Sequence, residues 1–241
     1  DSSTNNFTVT RNGNTTQGSF SPYGSLWSNY FDGSTAYLKA PSNAGFQFGT
    51  GDFCIEGWFY KMSSVSCRYF TFSDDALNLD SSSSNTLSTY QVGGLNYATP
   101  LALNTWYHVA ITRESNTVRL FVNGERVSTG TATNNYTGTR NFHIGVNNDL
   151  TNDFFPGYIS NVRIVKGSAV YTSSFTPSTT PLTAISGTQL LTCQSNRFID
   201  NSANALVLVV ASPLAVQRYS PFLLNSAYDT ATIGGSGYFD G

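Results

Sequence analysis

The sequence predicts an all-β protein built from antiparallel strands, and three observations carry that reading. Charged residues are only 11% of the 241, aromatic residues reach 14%, and Gly, Ser, Thr and Asn are abundant, a mix that favours strands and turns over helices. Two alternating runs, Trp106 to Arg113 and Val118 to Val122, flank a polar reversal at Glu114, Ser115 and Asn116. Asn123-Gly124 then supplies the positive φ of a tight type I′ turn and starts a third short run.

The rest of the chain follows in order. Asn6 to Arg11, Gln17 to Phe20, Asn29 to Phe31 and Tyr37 to Lys39 read as short strands between Asn-Gly, Ser-Pro and Asp-Gly turns. Phe53 to Tyr60 is apolar on both faces apart from Glu56, which predicts a central strand covered from two sides. Glu56 is then a carboxylate paired to a neighbour or one facing a groove, and the paired reading is favoured. Arg68 to Phe72 is a strand; Ser73 to Asn85 is a polar surface loop interrupted by Ala76 to Leu79. Leu87 to Val92, Asn141 to Val146 and Tyr158 to Val165 continue the meander. Ser168 to Tyr171 has the look of one helical turn, and Ser173 to Leu182, with Pro177 and Pro181 among Ser and Thr, that of a linker or extended arm. Ala205 to Ala211 reads as one more strand.

Composition excludes some partners. A net charge of −2 offers no basic footprint for nucleic acid or an anionic membrane, and no apolar run approaches the roughly 18 residues of a membrane-spanning helix. Cys54, Cys67 and Cys193 lack metal-type spacing and are expected to be apolar core residues, with a Cys54–Cys67 bridge as the alternative. His108 and His143 stand near no recognised nucleophile and are read as structural. Asn6, Asn14 and Asn135 lie in N-x-S/T sequons.

Five blocks in order resemble a known family. They are Tyr30-Phe31-Asp32-Gly33-Ser34 with Tyr37-Leu38, Phe48 to Trp58, Thr105 to Arg113, Leu120 to Gly124, and Gly157 to Gly167. Together they resemble the concanavalin-like, laminin-G-like jelly rolls found in tandem in bacterial surface proteins and in virion proteins. The resemblance implies a two-sheet antiparallel jelly-roll sandwich, here over residues 1–182. Residues 183–241 form a segment that supplies a closing strand and repeats the start of the domain.

That repeat is visible directly. Asp1-Ser-Ser-Thr-Asn with Ser21-Pro22 recurs as Asp200-Asn-Ser-Ala-Asn with Ser220-Pro221, 199 residues on (200 − 1), and Tyr30-Phe31-Asp32-Gly33 recurs as Tyr238-Phe239-Asp240-Gly241. Self-similarity at this scale marks a tandem array of domains. In the resembled family a strand such as Thr188 to Cys193 precedes the Asp-Asn-Ser segment, so a chain opening at Asp1 is expected to lack its first strand. Gln189, Leu190, Leu191, Thr192 and Cys193 either fill that edge within the chain or pair with a neighbouring molecule, the second option building an open head-to-tail filament.

For function, the resemblance implies a non-catalytic structural or adhesive module of a repetitive extracellular, cell-surface or virion-surface protein: a fibre, filament, adhesin or decoration layer whose partners are copies of itself or adjacent domains. The alternative is a calcium-assisted lectin module taking a cell-surface glycan. Hydrolases of this fold place carboxylates on alternate residues of one strand, and Glu56 stands alone, so no catalytic residue is expected. For calcium, which takes oxygen ligands, the candidates are Asp149 and Asp153, with Asp74, Asp75 and Asp80 as a second cluster. For glycan they are Asn147, Asn148 and Asp149, with Tyr136 and Phe154 as stacking surfaces.

Overall fold

The computed structural model describes residues 26–195, 197–211, 213–217, 219 and 221–222, and the backbone of Thr16–Gly18 and Ser236–Tyr238. The expected strand at Asn6 to Arg11 lies outside the described residues. Two compact units are present, Ser25–Leu223 and the pair Asp1–Gly24 with Leu224–Gly241.

In chain order the strands are β1 (Thr16–Gly18), β2 (Ser28–Asp32), β3 (Leu38–Ala40), β4 (Phe53–Lys61), β5 (Cys67–Phe72), β6 (Asn78–Ser81), β7 (Leu87–Ser88), β8 (Asn96–Tyr97) and β9 (Trp106–Glu114). They continue as β10 (Thr117–Val122), β11 (Glu125–Thr131), β12 (Phe142–Ile144), β13 (Pro156–Lys166), β14 (Thr188–Thr192), β15 (Val209–Val210), β16 (Ala215–Gln217) and β17 (Ser236–Tyr238). In the smaller unit β1 pairs antiparallel with β17.

The larger unit is two antiparallel sheets. One runs β11-β10-β9-β4-β13-β2-β16 with β14 also on β13, and the other runs β15-β3-β12-β5-β6-β7-β8. Their facing side chains, among them Phe31, Phe53, Ile55, Phe59 and Ile111 from the first and Leu38, Phe70, Phe72, Leu79 and Phe142 from the second, form one buried core. β4 lies between β9 and β13, as its two apolar faces predict.

The β9–β10 hairpin closes on Ser115 and Asn116, and Ser115 takes φ 54°. Asn123 and Gly124 both take positive φ, 50° and 81°, as a type I′ turn requires. Gly124 meets a second demand, because a Cβ there would fall 1.8 Å from the carbonyl oxygen of Phe175.

β13 needs an irregularity to serve both faces. Simple alternation would send Ile159 and Val162 to opposite sides, yet both are in the core. A bulge between Ser160 and Arg163, with Asn161 at φ 54°, resets the alternation and turns Arg163 to the outer face. The Asn161 side chain holds the bulge by accepting from Leu182 N at 2.7 Å and donating to Ser160 Oγ at 2.8 Å.

Several expectations are corrected. Asn78–Ser81 is a sheet strand and not part of a surface loop, because Leu77 and Leu79 bury completely. Residues 168–171 form no helical turn, and Val170 takes φ 45°. Within Ala205 to Ala211 only Val209–Val210 pairs, on β3, and Val207 is exposed. Of the two places open to Gln189–Cys193, the structure uses the one inside the chain. β14 pairs with β13 from Val162↔Thr192 to Val165↔Thr188, and Leu190, Leu191 and Cys193 are buried. Asp200 locks it by accepting from Leu191 N at 3.0 Å and Ser202 N at 2.9 Å.

Candidate functional site

The smaller sheet carries a polar cleft organised by Arg68, whose side chain leaves β5 only 16% exposed. Asp75, in the turn after β5, and Asp80, on β6, each lie 3.0 Å from Arg68 Nη1, and Asp153, from the loop before β13, lies 3.9 Å from Nε. Arg68 N also donates to the carbonyl of Asp153 at 2.8 Å, which ties that loop to β5. Asp75 is held further by Asn78 Nδ2 at 2.9 Å and Thr71 Oγ1 at 3.2 Å. Burial pushes the Asp80 carboxyl up to about 6, against the Arg68 charge and aided by repulsion from Asp75 and Asp153.

The cleft beside this group has a volume of about 200 Å³ and is lined by Arg68, Asp80 and Asp153 together with Ser66, Ser81, Ser82 and Ser88. Lys61 fixes the serine end, its Nζ donating to Ser81 Oγ at 2.9 Å and to the Ser82 carbonyl at 3.2 Å. Carboxylates accept, guanidinium donates and serine hydroxyls do either, so the residue types lining the cleft include both hydrogen-bond donors and acceptors.

A second charged group is sealed away. Glu56 is wholly buried on the outer face of the larger sheet, its Oε1 accepting from Arg163 and its Oε2 from Tyr171 Oη at 2.9 Å, with His108 Nε2 at 3.0 Å. Residues 168–182, which include the Ser173 to Leu182 stretch expected as a linker or extended arm, are the strap over it. Tyr171 stacks on Phe175, and Phe175 packs on Phe121 and His108. Burial raises the Tyr171 hydroxyl pKa strongly and the Glu56 charge adds to that, so the phenol stays protonated and donating. With no exposed surface, Glu56 serves as a structural anchor, as the paired reading expects, and His108 is part of the same anchor. His143 is likewise buried, with Nδ1 3.3 Å from the Asn147 carbonyl, and burial lowers its pKa.

Beside that anchor the outer face carries a row of half-buried aromatic rings. Trp106, Tyr60, Tyr158 and Tyr30 are register partners on β9, β4, β13 and β2, with neighbouring centroids 5.5, 5.8 and 5.2 Å apart. Tyr219 lies over the row, 4.9 Å from Tyr158 and 5.2 Å from Tyr60, and Phe222 packs on Trp58 at 5.6 Å. The indole Nε1 groups of Trp58 and Trp106 are buried without a hydrogen-bond partner.

The residues singled out from sequence fall in different places. Tyr136 is corrected: it is 1% exposed, packs edge-on to Phe53, lies beneath Arg113 and Arg140, and donates to the Gln91 carbonyl, so its ring offers no face to a sugar. Asn147 is buried and braces its own loop by accepting from Thr151 N at 3.0 Å. Asn148 and Phe154 are half-buried nearby. Asp149 is exposed and its carboxylate is taken by Thr151 N and Oγ1, whereas Asp153 faces Arg68. Asp74 pairs with Arg140 at 3.3 Å. The two acidic clusters are therefore redistributed: Asp75 and Asp80 of one join Asp153 of the other. Among the described residues no group of three His, Cys, Asp or Glu side chains is arranged to hold a metal ion. Sequence reasoning missed Arg68 and the four serines. The available signal was an arginine at the head of a strand, in a chain with only twelve basic residues, followed by acids at 75 and 80.

The two facing antiparallel sheets and the short crossing connections define a jelly-roll sandwich. The chain belongs to the concanavalin A-like lectin/glucanases superfamily, whose laminin-G-type family model matches residues 32–170. A comparison with curated protein sequences gives no match. Among solved structures, a protein from Bacteroides ovatus ATCC 8483 described as carbohydrate binding is similar, with a TM-score of 0.62 at 16% identity over 83% of this chain and 62% of that one. The heptameric SAP-like pentraxin of Limulus polyphemus is similar with a TM-score of 0.59 at 12% identity, over 83% of this chain and 98% of that one. At these identities the likeness is one of fold. This chain thus spans less than two thirds of the Bacteroides protein.

Proposed function

We propose that this chain is a non-catalytic carbohydrate-binding module, an adhesive domain for display on a surface, and that it holds its glycan in the Arg68 cleft. The observation that carries the reading is the sharing of one guanidinium by three carboxylates beside an open cleft lined in part by serines. Vicinal sugar hydroxyls each donate and accept, and a fixed array of both kinds of partner is what recognises them. The carbohydrate-binding description of the Bacteroides relative accords with this. Binding without turnover is supported by Glu56, the carboxylate of the central strand, which is locked to Arg163, His108 and Tyr171 under the strap. Arg68 also supplies the positive charge that calcium would bring to clustered carboxylates, so binding is expected to persist in EDTA.

A glycan array followed by calorimetry on the best hit tests the proposal. Arg68→Ala and Asp80→Asn are each expected to weaken binding at least about tenfold, equivalent to about 1.4 kcal/mol, with the sugar recovered intact. A hit that is insensitive to Arg68→Ala but abolished by EDTA and by Asp149→Asn would move the site to the 147–154 loop, where Asn148, Asp149 and Phe154 remain accessible. Failure to bind any glycan would overturn the proposal.

A further inference from the structure

The Arg68 cleft is not electrically balanced, and what it lacks is positive charge. Asp75, Asp80 and Asp153 are offset only by Arg68 and by Lys61 at the serine end. Lys61 is 5% exposed, with its Nζ committed to Ser81 Oγ and the Ser82 carbonyl. Arg68 is committed unequally. Its Nη1 donates to Asp75 Oδ1 at 3.0 Å, whereas Asp80 Oδ1, as close to the same nitrogen, is buried and accepts no hydrogen bond. Burial pushes the Cys67 thiol, which also lines the cleft, up to about 12, so it stays neutral. The neighbouring Asp74 is balanced by Arg140 at 3.3 Å. Three carboxylates against two cations leave the cleft with a negative excess.

Asp80 registers that excess. Its carboxyl stands at about 6 because burial, with repulsion from Asp75 and Asp153, outweighs the pull of Arg68. A carboxylate in this position takes up a proton readily, and a ligand that brings its own positive charge meets the same demand. The two carboxylates that line the cleft, Asp80 on β6 and Asp153 before β13, share with Arg68 one volume of about 200 Å³. That is smaller than the roughly 300–1,000 Å³ of sites for drug-sized ligands. Its occupant is one sugar ring and not a chain.

We propose, resting on the reading of this cleft as a glycan site, that its occupant is an amino sugar with a free amine, a hexosamine ring whose ammonium group is held by Asp80 and Asp153. An ammonium carries three donors and no acceptor, which suits carboxylates short of donors, and Arg68 and the serines remain for the ring hydroxyls. A neutral hexose supplies hydroxyls but no charge, and N-acetylation removes the charge from the amine. An acidic sugar would add a fourth carboxylate to a cleft already in excess. A metal ion would answer the charge, but Arg68 already takes the place among the three carboxylates, and among the described residues no three such ligands are arranged for one.

Calorimetry and saturation-transfer NMR on the full chain at pH 7 test the assignment. Glucosamine, galactosamine and mannosamine are compared with their N-acetyl forms, with glucose, galactose and mannose, and with glucuronate. At least one amine is expected to bind about tenfold or more tighter than both its N-acetyl form and its hexose, and glucuronate is expected not to bind. The advantage should shrink to about twofold or less at pH 5, where Asp80 is protonated, and should fall as salt is raised. Asp80→Asn is expected to abolish the advantage at pH 7 and to make it the same at pH 5, which a merely structural role for Asp80 would not do. Should that variant fail to fold, the pH profile of the parent chain decides. An amine that binds no tighter than its hexose, with the hexose lost in Arg68→Ala, overturns the amino-sugar assignment and leaves the glycan cleft standing. An amine advantage undiminished at pH 5 overturns it equally. Failure of every sugar, and of the wider glycan array, overturns the cleft reading and this inference with it.

Discussion

Arg163 places two nitrogens on one oxygen of Glu56, Nη2 at 2.6 Å and Nε at 2.9 Å, with both side chains cut off from water. The pair depends on the β13 bulge, which turns Arg163 to the outer face, and on the strap, which closes over it. Removing one partner strands the other's charge. Arg163→Met is expected to lower unfolding free energy by about 3–5 kcal/mol, and Glu56→Leu/Arg163→Met by distinctly less, as measured by urea denaturation. Equal losses for the single and double variants would show that packing rather than charge holds the site.

The same carboxylate sets an acid limit. Burial alone would raise the Glu56 pKa, but hydrogen bonding to His108 and the charge of Arg163 outweigh it and hold the group below its usual 4.5. A depressed native pKa stabilises the fold above the unfolded value and the benefit is lost as pH falls below it. The melting temperature of the parent chain should therefore drop more steeply below pH 4.5 than that of Glu56→Gln, a comparison that differential scanning fluorimetry makes directly.

Asp80 has the opposite sign. Its raised pKa, about 6, means that its stabilising contribution is full below the unfolded value near 3.8 and is lost as pH rises through about 6. Asp80→Asn, which mimics the protonated form, should compare better with the parent at pH 7.5 than at pH 4.5. A melting-temperature difference that does not change with pH would show that Asp80 titrates normally.

Two glycines separate turn conformation from close approach. Gly94 has φ 57° and open space where a Cβ would stand, so Gly94→Ala should cost about 1–2 kcal/mol from backbone strain alone. Gly124→Ala carries similar strain and also forces the Phe175 carbonyl away. Its loss should exceed that of Gly94→Ala by urea denaturation, with protease sensitivity rising in residues 168–182 as the strap lifts.

The thiols offer a rapid check on the core. Burial pushes Cys67 and Cys193 up to about 12 and also raises Cys54 well above the usual thiol value, with Glu56 adding to the rise there. None should react with a thiol reagent in the native protein at pH 8, and all three should react in urea. Fast labelling of one in native buffer would show local opening there.

Much of the fold was legible because strand periodicity and turn chemistry are local properties. Asn123-Gly124, the two-faced Phe53 to Tyr60 run and the one acid within it, Glu56, were all readable from neighbours in sequence. The polar cleft was not. Asp75, Asp80 and Asp153 look like ordinary loop or turn acids until β5, β6 and the loop before β13 bring them to Arg68. Tyr136 failed for a related reason: a tyrosine among polar residues reads as exposed, but a bridge to Gly49 draws it under Arg113 and into the core.

The sequence by itself determined that this chain is an antiparallel β-sandwich with duplicated ends, since alternation, Asn-Gly turns and repeated blocks are written in residue order. Only the tertiary structure decided which strands meet. It set Thr188–Thr192 on β13 inside the chain, gathered three carboxylates on one guanidinium, and left Asn29 facing Val216 with its amide unpaired. The physical reason is that pairing partners in a sheet lie far apart along the chain. Which edge receives which strand is settled by packing and buried hydrogen bonds, and neither has a local signature.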